Sequence, residues 1–188
     1  MRGPLMARLA SAAVVLMTLS ASAGTFTADF NSGQPAATSI YGNAHILSSG
    51  GFTNSGCLQL ATNLTAQNGS FVISNFDGGL PTVAFTARFK ALIGGGTGAD
   101  GMVFAFANNL PAGTFGAGIP DESAGTGLMV EFDTFSNAND VVGISLWSGG
   151  GKLQDQPFTG LRVGAFVDAV VQLNPDGSLL VIYDGFYA

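Results

Sequence analysis

The chain has 188 residues, of which 28 are glycine and 15 phenylalanine, and only 10% are charged. Six basic against twelve acidic side chains give a net charge of −6, with no basic run of the kind that nucleic acid or an anionic membrane surface attracts. The single cysteine, Cys57, excludes an internal disulfide.

Arg2 and Arg8 open the chain, an apolar run follows from Ala10 to Leu19, and Ala21-Ser22-Ala23 has the small-x-small cleavage pattern. Residues 1–23 therefore read as a secretory signal peptide, because the apolar run is too short to span a bilayer. The expected product, residues 24–188, is exported, secreted or held at the cell surface, with no membrane span. Without Arg2 and Arg8 it keeps four basic and twelve acidic side chains, a net charge of −8. Its length suits one domain with a substantial core.

Almost every patterned segment after residue 24 has period two, the period of a strand with one buried face. Thr25 to Phe30 reads as a first short strand, followed by a Gly/Ser/Pro/Ala-rich loop and a weak strand over Ala44 to Leu47. His45 lies there without a Cys, His or carboxylate close in sequence, so it does not read as a ligand. Cys57 to Thr62 and Ser70 to Phe76 are the next strands, and Cys57 reads as a buried strand cysteine. Asn63-Leu64-Thr65 and Asn68-Gly69-Ser70, in and after the turn between them, match the glycosylation pattern. Thr82 to Leu92 alternates most cleanly, with Val83, Phe85, Ala87, Phe89 and Ala91 opposite Thr86, Arg88 and Lys90. Gly94 to Gly98 is a glycine loop without the Gly-Lys-Ser/Thr of a phosphate loop.

Met102 to Ala107 is a further strand, with Phe104 and Phe106 on its core face. The long loop Asn108 to Gly125 follows. Val141 to Trp147 is a strand, with Trp147 read as packing rather than as a stacking platform, and Ser148 to Gly151 is its turn. Val163 to Leu173 and Ser178 to Asp184 flank Asn174-Pro175-Asp176-Gly177, a hairpin signal because proline presets φ and glycine accepts φ > 0. The ending at Gly185 to Ala188 is abrupt and leaves a closing strand unaccounted for. About ten short strands joined by turns, with no helical stripe, define an all-β chain folded as a two-sheet antiparallel β-sandwich.

The stretch Gly127 to Ser145 carries the chemistry. Leu128, Val130 and Phe132 share one face of a strand, and Met129, Glu131, Asp133 and Phe135 the other. Glu131 and Asp133 lie within roughly 7 Å of each other. Two carboxylates that close repel unless water or a cation screens them. Ca²⁺ suits them, because it gathers six to eight oxygens, and Asn137 and Asp140 offer more downstream. The same residues also read as an acidic strand end followed by a polar turn.

Three stretches line up in order. The first is Gly98-Ala99-Asp100-Gly101-Met102-Val103-Phe104-Ala105-Phe106. The second is Phe115-Gly116-Ala117-Gly118-Ile119. The third is Glu131-Phe132-Asp133-Thr134-Phe135-Ser136-Asn137, with Asp140 and Gly143-Ile144 beyond it. Together they resemble the L-type (legume-type) lectins of the concanavalin A-like fold. The resemblance implies a concanavalin A-like jelly roll. It also implies a secreted, non-catalytic module that binds a carbohydrate or glycan through a calcium-ordered loop. Asp100 matches the family's sugar-binding aspartate, and Gly116 the glycine whose amide meets a sugar hydroxyl. Asn137 matches the asparagine that touches both calcium and sugar, and Phe135 the aromatic that faces the sugar. Glu131, Asp133 and Asp140 match the metal carboxylates. The family's histidine before Gly-Ile is absent from Val141-Val142-Gly143-Ile144, and the Asn137–Asp140 interval is one residue short. Calcium through Asp133, Asn137 and Asp140 is therefore expected, and a transition metal is not.

Two alternatives stay open. One is a structural or adhesive surface sandwich with no sugar binding. The other is a glycoside hydrolase of the same fold, similar to laminarinases that carry Glu-x-Asp-x-x-Glu on a strand. Glu131 and Asp133 fit the start of that pattern, but Ser136 stands where the acid belongs, and retaining hydrolysis needs two carboxyl groups about 5–5.5 Å apart.

Overall fold

The computed structural model describes residues 24–74, 77–95, 100–110, 113, 126–136 and 141–188. The signal peptide expected over residues 1–23 lies outside these, as do Gly116, Asn137 and Asp140.

Among the described residues twelve strands form, in chain order: β1 (Thr38–Gly42), β2 (His45–Leu47), β3 (Cys57–Gln59), β4 (Gly69–Ile73), β5 (Phe85–Ala91), β6 (Gly101–Phe106), β7 (Leu128–Asp133), β8 (Gly143–Ser148), β9 (Gly151–Pro157), β10 (Val167–Leu173), β11 (Leu179–Tyr183) and β12 (Phe186–Tyr187). β6-β7-β8-β9 make a front sheet, β12-β11-β10-β5 a back sheet, and β1-β4 and β2-β3 two ribbons. Every pairing is antiparallel. The chain is a two-sheet β-sandwich, as its alternating pattern predicts.

The core lies between the sheets. Val130 and Phe132 of β7 and Ile144 and Leu146 of β8 pack against Val167, Ala169 and Val171 of β10 and Val181 and Tyr183 of β11. Phe132 and Tyr183 set their ring centroids 5.4 Å apart, and Phe104 stacks on Phe89 at 6.3 Å. Each fully buried side chain of this size contributes roughly 1.5–3 kcal/mol. The Tyr183 hydroxyl, carried into this core, donates to the Leu161 carbonyl at 2.8 Å. Without such a partner a buried hydroxyl costs stability.

Local chemistry shifts several boundaries. Thr25–Phe30 forms no strand. Phe30 takes φ +59°, a turn conformation, and its ring packs edge-on to Phe71 at 5.7 Å. β5 begins at Phe85, leaving Val83 outside it and 70% exposed. β10 begins at Val167 rather than Val163, because Gly164 turns the chain with φ +69°. β1, β9 and β12 carry no clean alternation, yet each pairs with a neighbour. β12 closes the back sheet against β11 through Ile182↔Tyr187 and Tyr183↔Phe186. Phe106 is 37% exposed at the end of β6 and is only partly core, resting on Phe85. Cys57 is half-buried and free.

Candidate functional site at the end of the front sheet

The β6–β7 register decides which residues meet. Gly101 lies opposite Asp133, which brings Asp100 beside Thr134. The Thr134 amide donates to the Asp100 carbonyl at 2.9 Å, and the Thr134 hydroxyl donates to the same oxygen at 3.0 Å. Gly101 is required here, because a β-carbon would run into the Phe132 carbonyl oxygen. One turn further, Asp133 Oδ1 accepts the Phe135 amide at 2.8 Å. That local turn, the kind aspartate favours, follows directly on the end of β7. Phe135 is 44% exposed and Asp133 only 1%. The sheet end thus joins a half-buried aspartate, an exposed aromatic and a buried carboxylate.

Glu131 lies two residues back on the same outer face, 8% exposed. Its Oε2 accepts the Trp147 indole N–H at 3.0 Å. Trp147 packs with Met129, Val103 and Ala105 in a small second cluster on this face, so it is packing and not an open stacking platform. Ser145 stands opposite Glu131 in β8, and Asp155 opposite Ser145 in β9. The Ser145 hydroxyl donates to Asp155 Oδ1 at 2.6 Å, and Lys152 Nζ lies 3.2 Å from that oxygen. Burial pushes the Asp155 carboxyl up, but the Ser145 hydroxyl and the Lys152 ammonium outweigh it and hold it below the usual range.

Of the expected site residues, Asp100, Phe135, Glu131 and Asp133 thus share the outer face or the end of the front sheet. Gly116, Asn137 and Asp140 fall outside the described residues. Among the described residues, no group of three or more His, Cys, Asp or Glu is placed to hold a metal ion. Asp133, buried and offering a hard oxygen, suits calcium chemistry. Glu131 has one oxygen engaged by an indole. His45 lies apart, its Nδ1 donating to the Asn43 carbonyl at 2.9 Å.

Sequence reasoning gave no role to Thr134, Ser145, Lys152 or Asp155. The last three meet Glu131 and Trp147 only through strand pairing, which local spacing does not reveal. Thr134 carried a signal, since it sits between two assigned residues. No protein-family model matches the chain, and no curated protein is similar enough to count as a relative.

Proposed function

We propose that the protein is an exported, lectin-like module of concanavalin A-like type that binds a saccharide without altering it, at the end of the front sheet. The observation that carries this reading is the Asp100–Thr134 junction, which brings Asp100 to the end of the front sheet beside Thr134, the residue before the exposed Phe135. A sugar offers hydroxyls to the carboxylate and an apolar C–H face to the ring. With Asp100 and Asp133 at the site and a net charge of −8 on residues 24–188, electrostatics favours a neutral saccharide over a uronic or sulfated one. Calcium held by Asp133, with Asn137 and Asp140 as the partners expected from sequence and Glu131 behind, would order the loop that carries Asn137. A non-catalytic role fits Glu131, whose carboxylate is buried and held by Trp147 rather than presented to a substrate.

The test is an array of neutral and acidic glycans, read with and without millimolar calcium, alongside thermal melts in EDTA and in calcium. Neutral-glycan binding that is lost in Asp100→Ala and in Phe135→Ala, with melting temperature preserved, supports the reading. A ligand at one hundred times its dissociation constant stabilises the fold by about 2.7 kcal/mol, several degrees for a domain of this size. A calcium shift that disappears in Asp133→Ala supports the ion. An array with no bound glycan defeats the reading and leaves a structural surface module in its place.

A further inference from the structure

We infer that the Thr134 hydroxyl is a positioning group for Asp100, setting the spacing between the Asp100 carboxylate and the Phe135 ring on which saccharide selection depends. This inference rests on the carbohydrate-binding reading above.

The Asp100 carbonyl accepts two hydrogen bonds from one residue, at 2.9 Å from the Thr134 amide and 3.0 Å from its hydroxyl. The first continues the β6–β7 ladder, and any residue except proline could supply it. The second needs a hydroxyl. Thr134 lies just past the end of β7, and valine has the same shape, so shape alone gives no reason for threonine. A carbonyl with two donors has both lone pairs engaged, which resists rotation of the peptide joining Asp100 to Gly101. The same peptide lies close against β7, where Gly101 leaves no room for a β-carbon beside the Phe132 carbonyl. Both contacts therefore hold Asp100 against β7.

The other half of the spacing is set next door. Thr134 is followed directly by Phe135, whose amide is fixed by Asp133 Oδ1 at 2.8 Å. The path from the Asp100 carbonyl to Phe135 thus runs through one hydroxyl and one peptide bond. A shift at Thr134 moves the carboxylate relative to the ring, and a rigid saccharide registers that change because its hydroxyls and its apolar face are fixed to each other.

The experiment compares Thr134→Val and Thr134→Ser in the exported protein, on an array of neutral mono- and oligosaccharides at 25 °C, with amide-proton exchange read at Thr134. The net strength of one ordinary hydrogen bond, fully coupled to binding, sets an upper bound of about a 10-fold weakening. Valine is expected to weaken binding by up to that factor and to speed exchange at the Thr134 amide, and serine to restore both. A valine variant that binds as tightly as the wild type overturns the inference while leaving the carbohydrate reading intact. A serine variant as weak as valine overturns it as well, since the methyl group and not the hydroxyl would then matter. Unchanged exchange in the valine variant overturns the clamp whatever the array shows. A wild-type protein that binds no saccharide defeats both readings together.

Discussion

The Trp147 indole N–H donates to Glu131 Oε2 at 3.0 Å, diagonally across the β7–β8 pair, where Trp147 faces Met129 and Glu131 faces Ser145. The two side chains are 9% and 8% exposed. A carboxylate that buried keeps its charge at a cost unless donors surround it, and the indole is one of them. Lys152 Nζ sits 4.8 Å from the centroid of the same indole ring, so a cation lies over the face of the donor's ring.

Trp147→Phe removes this donor while keeping an aromatic ring. A hydrogen bond to a charged group contributes about 1.5–3 kcal/mol, so the variant is expected to melt several degrees lower. Glu131→Gln keeps an acceptor oxygen in place and is expected to cost less than Trp147→Phe. Trp147 is the only tryptophan, so the fluorescence of Glu131→Gln reports this one contact. Its emission is expected to shift, and an unchanged spectrum would mean the indole does not sense Glu131.

Gly101→Ala tests the junction of β6 and β7. Gly101 has φ +153°, at the margin of what side chains adopt, and its added β-carbon would meet the Phe132 carbonyl. The backbone, not a flexible side chain, must then move. Overpacking of this kind costs roughly 1–3 kcal/mol. The variant is expected to show lower urea resistance and to lose amide protection at Thr134. Retention of both would mean that β6 does not lie against β7 at this point.

Ser145→Ala and Lys152→Met probe the outer end of the same network. Both groups lower the Asp155 carboxyl, so each substitution is expected to raise its titration midpoint, read by carboxyl carbon chemical shift. The sign for stability follows from the depressed folded value. The contribution is present above the unfolded value, about 3.9, and is lost as pH falls through the folded one. The ion pair is partly exposed, with side chains 25% and 31% accessible. Lys152→Met is therefore expected to change stability by less than about 1 kcal/mol. A midpoint that does not move in either variant would show that these groups do not act on Asp155.

The sandwich was legible because period-two alternation is local. β5 announces itself because it buries one face and exposes the other, and β7 because its core face is purely apolar, although its outer face is buried too. β9 does not, because its GKLQDQP sequence lies at the edge of the front sheet and its place comes from pairing with β8. The positive φ of Phe30 is equally invisible in sequence, since nothing in its neighbours marks it and its ring contact with Phe71 is long-range. At the site, Asp100 and Phe135 came only with the lectin resemblance, while the carboxylate pair Glu131 and Asp133 could be picked out from spacing. Thr134's second hydrogen bond and the Glu131–Trp147 contact could not, since both cross between strands whose register no single stretch encodes.

Tyr183 offers the sharpest dependence on pH. Burial, aided by the charge of Asp184, pushes its hydroxyl up to about 12, against about 10 in an unfolded chain. A raised folded value means the stabilisation is complete below pH 10 and drains away between 10 and 12, because the unfolded chain ionises first. At pH 11 this amounts to about 1.4 kcal/mol, one unit of differential proton binding. Tyr183→Phe cannot ionise there, so its urea midpoint is expected to fall less between pH 8 and pH 11 than that of the wild type. At pH 8 the variant should already be weaker by about 0.5–1.5 kcal/mol, because the Leu161 carbonyl loses this donor. Equal losses on going alkaline would show that Tyr183 is not the group that titrates, and would place the core hydroxyl in contact with solvent.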